Sequence, residues 1–427
     1  MSHLISIRRA LGVTVVGAAF GCADATIPTE PSLVRTAVGP LNESEGLGAF
    51  QRYVAIGTSV SMGWASDGVF AASQDQSWPA QLARMAHREI TLPLVSGTGC
   101  QAPFAAPLAS GLRISGEAAA AARSTLACAP NVEGVTLPTQ NVAINAATTQ
   151  DVLFTTPENV TDLNNGPMYP RVLAPGQTQL TAALGQNPKV VSVELGANEV
   201  LGTRNGVAIP GVTIYPVAAW APLYTRVVDE VAAVTKHGLL VGLINDVATF
   251  PGFRRGAELW ADRATFQVAF NVVVAGDCDG SPNLLFVPVR VPVAVATGLK
   301  MRALGAGPYT LSCAGAPATI QDFVLTPDEA AIVNGTLAQM NAHIRAEAER
   351  VGFAYSELET LYGRSDIKPV FNSVAFMTTA QPYGPYVSLD GMHPSGLGQG
   401  IIARAAADAL NARYGLGIPT GLLIAAR

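Results

Sequence analysis

The sequence predicts an α/β protein built on a mostly parallel sheet. Two observations carry this. First, short apolar runs without polar alternation recur along the chain: YVAI at 53–56, NVAI at 141–144, KVVSVEL at 189–195 and LLVGLI at 239–244. Strands covered on both faces read this way. Second, segments with helical spacing lie between these runs, and such alternation is the pattern of a parallel sheet with covering helices.

Taken in order, the first strand ends at Gly57, and residues 78–88 follow as an amphipathic helix. After the strands at 141–144 and 189–195, residues 217–237 read as a long helix, with Gly238 as the left-handed residue that closes it. The strand at 239–244 comes next. The helix opening at TPDEAAIVNG has Thr326 as its cap, Pro327 in its first position and Glu329 completing a capping box. A last helix, at 395–413, follows Pro394. Two stretches break the alternation and read as insertions beside the functional edge of the sheet. Residues 89–140 are rich in Pro, Ala and Gly. Residues 251–325 contain LLFVPVRVPVAVAT, which reads as a hairpin or edge pair. No internal repeat is present.

The 427 residues leave room for a large core, as one big domain or up to three ordinary ones. With 49% hydrophobic and only 13% charged residues, the chain is neither disordered nor a coiled coil. A net charge of −5 without a basic stripe argues against a nucleic-acid partner.

The N-terminus reads as a targeting segment. Arg8 and Arg9 precede an uncharged run at 10–20 that is too short to span a bilayer and fits the apolar region of a secretory signal. The run ends in AAFGC, where small residues before a cysteine resemble a bacterial lipoprotein processing site, although Phe20 is bulky for its place. That resemblance makes Cys22 the first mature residue, carrying lipid. A cleaved secreted protein and an uncleaved anchor are the other two arrangements. The expected organisation is a signal at 1–21, a polar tether at 22–50, one domain at 51–415 and a tail at 416–427.

Beyond Cys22, four cysteines remain, an even number suited to an oxidising compartment: Cys100, Cys128, Cys278 and Cys313. Of three possible pairings the sequence-local one, Cys100–Cys128 with Cys278–Cys313, is favoured. Each bridge is then worth ~3–4 kcal/mol in the loop-entropy model. Four buried free thiols are the alternative. No CxxC pair or His/Cys cluster suggests a metal.

Hydrolysis by a serine needs a base, a group to orient it and donors for the oxyanion. Among five histidines, His3 lies in the signal, His87 and His237 fall at or near helix ends, and His343 lies inside a helix. His393 remains, in LDGMHPSGLGQG, a Gly/Pro-rich loop of the kind that carries function. Asp390 stands three residues before it and can reach the imidazole. A turn aspartate with a solvent-exposed histidine gives the same letters. Ser59 follows the first strand in YVAIGTSVSMG. In VELGANEVLG, Asn198 follows a buried strand and can donate to an oxyanion. In NVAINAATTQDVL, the turn at Ala146 and Ala147 can supply a backbone N–H. Simple strand-end turns explain these two fragments equally well.

Together and in this order, the four pieces resemble the GDSL or SGNH hydrolase family. IGTSVSMG resembles the nucleophile block, NVAINAATTQDVL the glycine block, ELGANEVLG the asparagine block and SLDGMHPSGLGQGIIA the Asp-x-x-His block. The resemblance implies a three-layer α/β/α, flavodoxin-like sandwich. It implies that Ser59 is the nucleophile, His393 the base and Asp390 its orienter. The oxyanion hole would comprise the Ser59 and Ala146 backbone N–H groups and the Asn198 side chain. Three positions depart from the family pattern: Thr58 stands where it has Asp, Ala146 where it has Gly, and Glu199 where it has Asp. None removes a catalytic atom, although a left-handed conformation at Ala146 would be costly.

No G-x-S-x-G elbow and no phosphate-binding G-x-x-x-x-G-K-[ST] occurs, and GLGQG is a helix-start glycine cluster without a nucleotide fingerprint. The expectation is a secreted or lipid-anchored serine esterase of the lipase/esterase type, with no metal or organic cofactor. Its partners would be an ester substrate and, through the anchor, a membrane. A carbohydrate O-deacetylase of the same family and a non-catalytic surface-binding lipoprotein are the alternatives.

Overall fold

The computed structural model describes residues 48–317 and 320–421. The signal, Cys22 and nearly all of the tether lie outside the described residues, as does the end of the tail from 422.

The centre is a parallel sheet of four strands: β1 (Tyr53–Gly57), β2 (Val190–Glu194), β3 (His237–Gly242) and β4 (Ala354–Glu357), side by side in that order. Every residue of β1 and β2 is buried, which accounts for their unalternating apolar sequence. The expected strand at 141–144 is present only as an irregular edge. It pairs in parallel with Ala55 and exchanges backbone hydrogen bonds with β1, Val142 N–H to Ala55 O at 3.0 Å and Ile144 N–H to Gly57 O at 3.1 Å. Counting this edge, the five segments stand in the order 2-1-3-4-5 along the chain, the flavodoxin order. In such sheets the order reverses between the first and third segments, and ligands bind beyond the strand ends at that point. Ser59 follows the first of those segments and Asn198 the third.

Helices cover both faces. The helix Trp78–Met85 (α2; α1 is the short Ser59–Met62) packs with the last helix, Gly396–Tyr414 (α7). A second layer joins Thr149–Phe154 (α3), Val217–Val234 (α4) and the long Pro327–Val351 (α6). Thr326 caps α6: its hydroxyl accepts from the Glu329 N–H at 3.3 Å, and the Glu329 carboxylate accepts from the Thr326 N–H at 2.9 Å.

Two expectations are corrected. Gly238 does not close a helix. α4 ends at Val234, Thr235 is extended, and Gly238 lies inside β3. Its lack of a side chain answers packing, since a Cβ there would lie 2.1 Å from the ring of Phe353. The VPVRVPVAVAT run is no hairpin. After a short strand at Leu284–Phe286 it forms α5, Val287–Ala303. Its buried residues, Val287, Val291, Ala294, Val295 and Gly298, follow the 3.6-residue period, and Pro288 sits in the first turn, where a missing N–H costs nothing. Packing of that stripe overrides the strand preference of the valines.

Disulfides join Cys100 to Cys128 and Cys278 to Cys313, one within each inserted stretch. The second stretch is a small subdomain rather than a loop. It holds an antiparallel sheet of Phe253–Arg255, Leu284–Phe286 and Val324–Leu325, together with α5 and two further helices. Among the described residues, no helix is long and apolar enough to cross a membrane.

Candidate active site

β1 delivers the chain to the carboxyl edge of the sheet, and the next residues turn into α1. Thr58 is extended and Ser59 occupies the first helical position. The turn is tight: a Cβ at Gly57 would lie 2.4 Å from the Ser61 hydroxyl. A buried carboxylate on the neighbouring strand holds this turn. Glu194, the last residue of β2 and opposite Gly57 in register, accepts from the Thr58 N–H (3.0 Å), the Thr58 hydroxyl (2.9 Å), the Ser61 hydroxyl (2.9 Å) and the Ser61 N–H (3.3 Å). Its side chain has no solvent exposure. Burial pushes its carboxyl up, against the hydrogen bonds from Thr58 and Ser61, which favour the anion.

The loop before α7 brings the other two side chains. His393 Nε2 lies 2.9 Å from Ser59 Oγ, and His393 Nδ1 lies 2.8 Å from Asp390 Oδ2. Serine, histidine and aspartate form one hydrogen-bonded relay. An Nδ1–H donating to Asp390 leaves Nε2 free to accept the serine proton. Asp390 is buried and well supplied with donors. Its Oδ1 accepts the N–H groups of Met392 and His393, each at 2.9 Å, and its Oδ2 also accepts the Asp67 N–H at 2.8 Å. Burial raises its pKa, but the charge and hydrogen bonds of His393, helped by the Met392 N–H, outweigh that and hold the carboxyl well below the ordinary range. The Asp67 N–H reaches Asp390 because Ser66 and Asp67 both adopt left-handed backbone, at φ 54° and 62°. Strained non-glycine residues of this kind persist where the surroundings over-determine them.

Donors face the serine from two further loops. Asn198 lines the same cavity as Ser59 and His393, and its Nδ2 gives one hydrogen to Ala147 O at 2.8 Å, which leaves the second available. Among the described residues, the backbone N–H groups of Ser59 and Ala146 have no acceptor. Ala146 has φ 58°, so an alanine is held in the left-handed conformation that glycine adopts most easily, and it is strained. Glu199, beside Asn198, is buried and accepts the Thr149 N–H at 2.7 Å, which ties the asparagine turn to the start of α3.

Two cavities open from the relay. One, of about 70 Å³, is apolar and lined by residues that include Val200, Leu243, Ile244, Phe250, Phe253 and Val333. The other, of about 230 Å³, is polar and carries Trp64, Arg123, Asn145, Asn165, Arg204 and Asn205. Ser59, Asn198, Arg204 and His393 border both.

The structure thus gathers Ser59, Asp390, His393, Ala146 and Asn198, residues expected from the sequence, at one edge of the sheet. His343 is elsewhere, packed edge-on against Trp220, and His237 opens β3. Sequence reasoning missed Glu194 and Arg204. For Glu194 a signal existed: a lone carboxylate within an otherwise unbroken buried run has no reason to be there unless it is bonded.

The chain matches no protein-family profile and no curated relative. Several solved structures overlap it at low identity. A putative GDSL-like lipase from Parabacteroides merdae is 9% identical, with 85% of this chain and 95% of that one covered at a TM-score of 0.34. An extracellular lipase from Streptomyces rimosus is 12% identical, with 84% and 98% covered and a TM-score of 0.34. A variant of a Geobacillus acetyl-xylooligosaccharide esterase is 12% identical, with 84% and 93% covered and a TM-score of 0.32. Overlaps this shallow carry no argument about activity, which rests on the site itself.

Proposed function

We propose that the protein is a serine hydrolase of the GDSL/SGNH type that cleaves carboxylic esters through an acyl-enzyme on Ser59. The observation that carries this reading is the relay itself, with Ser59 Oγ 2.9 Å from His393 Nε2 and His393 Nδ1 2.8 Å from Asp390. As Ser59 Oγ bonds to the ester carbonyl carbon, its proton passes to His393 Nε2. The negative charge on the former carbonyl oxygen is met by the Ser59 and Ala146 N–H groups and the free hydrogen of Asn198. When the tetrahedral species collapses, the C–O bond to the alcohol breaks and His393 returns its proton to that oxygen. Water then repeats the sequence at the acyl carbon, with His393 again taking and returning one proton. Asp390 stays ionised throughout and stabilises the imidazolium.

The apolar cavity suits the acyl chain, which favours a lipase or esterase over an O-deacetylase of carbohydrates, whose acetyl group would leave it empty. The two disulfides suit an exported domain, and a lipid on Cys22 would hold it at a membrane by its N-terminal tether. The test is turnover of p-nitrophenyl esters of rising chain length beside acetylated xylan, with fluorophosphonate labelling of Ser59. Wild-type turnover and labelling that disappear in Ser59→Ala are expected. A Ser59→Ala variant as active as wild type refutes the mechanism. A folded wild-type chain that neither turns over nor labels supports the binding-lipoprotein alternative.

A further inference from the structure

Arg204 is not explained by packing or by pairing. It sits on the turn Leu201–Asn205, six residues beyond Asn198, and its half-buried side chain borders both cavities beside Ser59 and His393. Among the described residues its guanidinium makes no hydrogen bond or ion pair. The turn beneath it is fixed: the Thr203 hydroxyl donates to Val200 O at 2.7 Å, and the Phe323 N–H donates to Asn205 O at 2.9 Å.

Nearby carboxylates do not neutralise it. Asp67 is shared between Arg113, at 2.6 Å, and Arg123, so two guanidiniums already divide one charge. Asp390 is committed to His393. Arg123 itself lines the polar cavity and lies over the Trp64 ring, 5.5 Å from its centroid. The polar cavity therefore has an excess of fixed positive charge. Burial, and next the like charge of Arg123, lower the pKa of Arg204, so an anion between the two guanidiniums would relieve both effects. A guanidinium remains charged at any working pH, and its planar fork fits phosphate or carboxylate oxygens in pairs.

We infer that Arg204 is the anion-binding residue of a subsite for the alcohol portion of the substrate, and that the preferred esters carry a phosphate or carboxylate on that side. This rests on the ester-hydrolase reading. The acyl chain occupies the apolar cavity, and the anionic alcohol lies in the polar one, where it departs with the proton from His393.

The test compares kcat/KM for three butyryl esters that share one acyl group: those of glycerol, glycerol 3-phosphate and glycolate. The phosphate and carboxylate arms distinguish the two anion chemistries. Wild type should prefer at least one anionic ester, and Arg204→Ala should lower the anionic-to-neutral selectivity ratio by ~10-fold or more, the scale of one charge-assisted bidentate contact. Arg204→Lys should retain part of the ratio, and added salt should erode it. Inorganic phosphate should bind the inactive Ser59→Ala protein, and binding should fall ~10-fold when Arg204→Ala is added. The binding measurement does not depend on turnover. A ratio unchanged in Arg204→Ala, or a wild type that prefers the glycerol ester, overturns the inference while leaving the hydrolase reading intact. If Arg204→Ala fails to fold, the Lys and Gln variants carry the same comparison. Absence of turnover on all three esters, on the p-nitrophenyl series and on acetylated xylan, with no labelling of Ser59 but intact phosphate binding, refutes the hydrolase reading instead.

Discussion

Thr58 gives both its backbone N–H and its hydroxyl to the Glu194 carboxylate, at 3.0 Å and 2.9 Å, across the boundary between β1 and β2. The turn that carries Ser59 is thus held by a carboxylate on the adjacent strand, which also accepts from Ser61. Thr58 and Glu194 act as a pair, and neither is intelligible alone.

Removing that carboxylate should unmake the turn. Glu194→Ala leaves the Thr58 and Ser61 N–H groups buried without acceptors and opens a cavity, at a cost of about 3 kcal/mol or more. Glu194→Gln can keep an oxygen towards both N–H groups and give its NH₂ to the Thr58 hydroxyl. It should cost about 1 kcal/mol or less, as expected for a neutral isostere with its bonds remade. Urea unfolding with ester kinetics checks both: kcat should fall far more in Ala than in Gln, with KM little changed. Equal loss in the two variants would mean that the negative charge, rather than its hydrogen-bonding pattern, matters.

At Ala146 the strained left-handed backbone should respond to glycine. Ala146→Gly removes a Cβ penalty of about 1–2 kcal/mol, partly offset by the larger entropy glycine loses on folding. The expected result is a protein equal to or up to about 1 kcal/mol more stable than wild type, with its backbone donor and turnover kept. A drop of more than about 1 kcal/mol in chemical denaturation would contradict the strain argument.

Asp390 supplies a pH dependence whose sign is fixed. Its folded pKa lies below the unfolded one, so its ionisation stabilises the fold above about pH 4. That contribution is lost as pH falls through the folded value. Asp390→Asn removes it and favours the wrong imidazole tautomer. The stability gap between wild type and variant should be about 2–3 kcal/mol near neutrality and should narrow steadily below about pH 4. In the same variant kcat should fall ~10³–10⁴-fold, as expected when the base loses its orienting carboxylate. A gap that does not change between pH 7 and pH 3 would show that Asp390 acts by shape and not by charge.

Local rules made some of this legible in the sequence. β1 and β2 were readable because parallel strands need apolar residues on both faces, and the start of α6 because its capping box is written in four consecutive residues. His393 was reached by elimination among few histidines. What remained hidden depends on distant partners. Glu194 meets Thr58 only because β1 and β2 pair in register, 136 residues apart. α5 is a helix because the helix and strands of its subdomain pack on its buried stripe, with the backbone of Phe270 and Asn271 close over Gly298, against the preference of its valines. Arg204 looked like any loop arginine, since the sequence does not show that Asp67 is already shared by Arg113 and Arg123.

Ser59 and His393 lie 334 residues apart along the chain. A chain made from its N-terminus therefore exposes the serine long before the imidazole that would take its proton has been joined to it. Until α7 docks beneath that loop, Ser59 is an ordinary hydroxyl. On the proposed mechanism, a chain that has not yet joined the two would lack its base, and labelling of Ser59 would report that the domain has been completed.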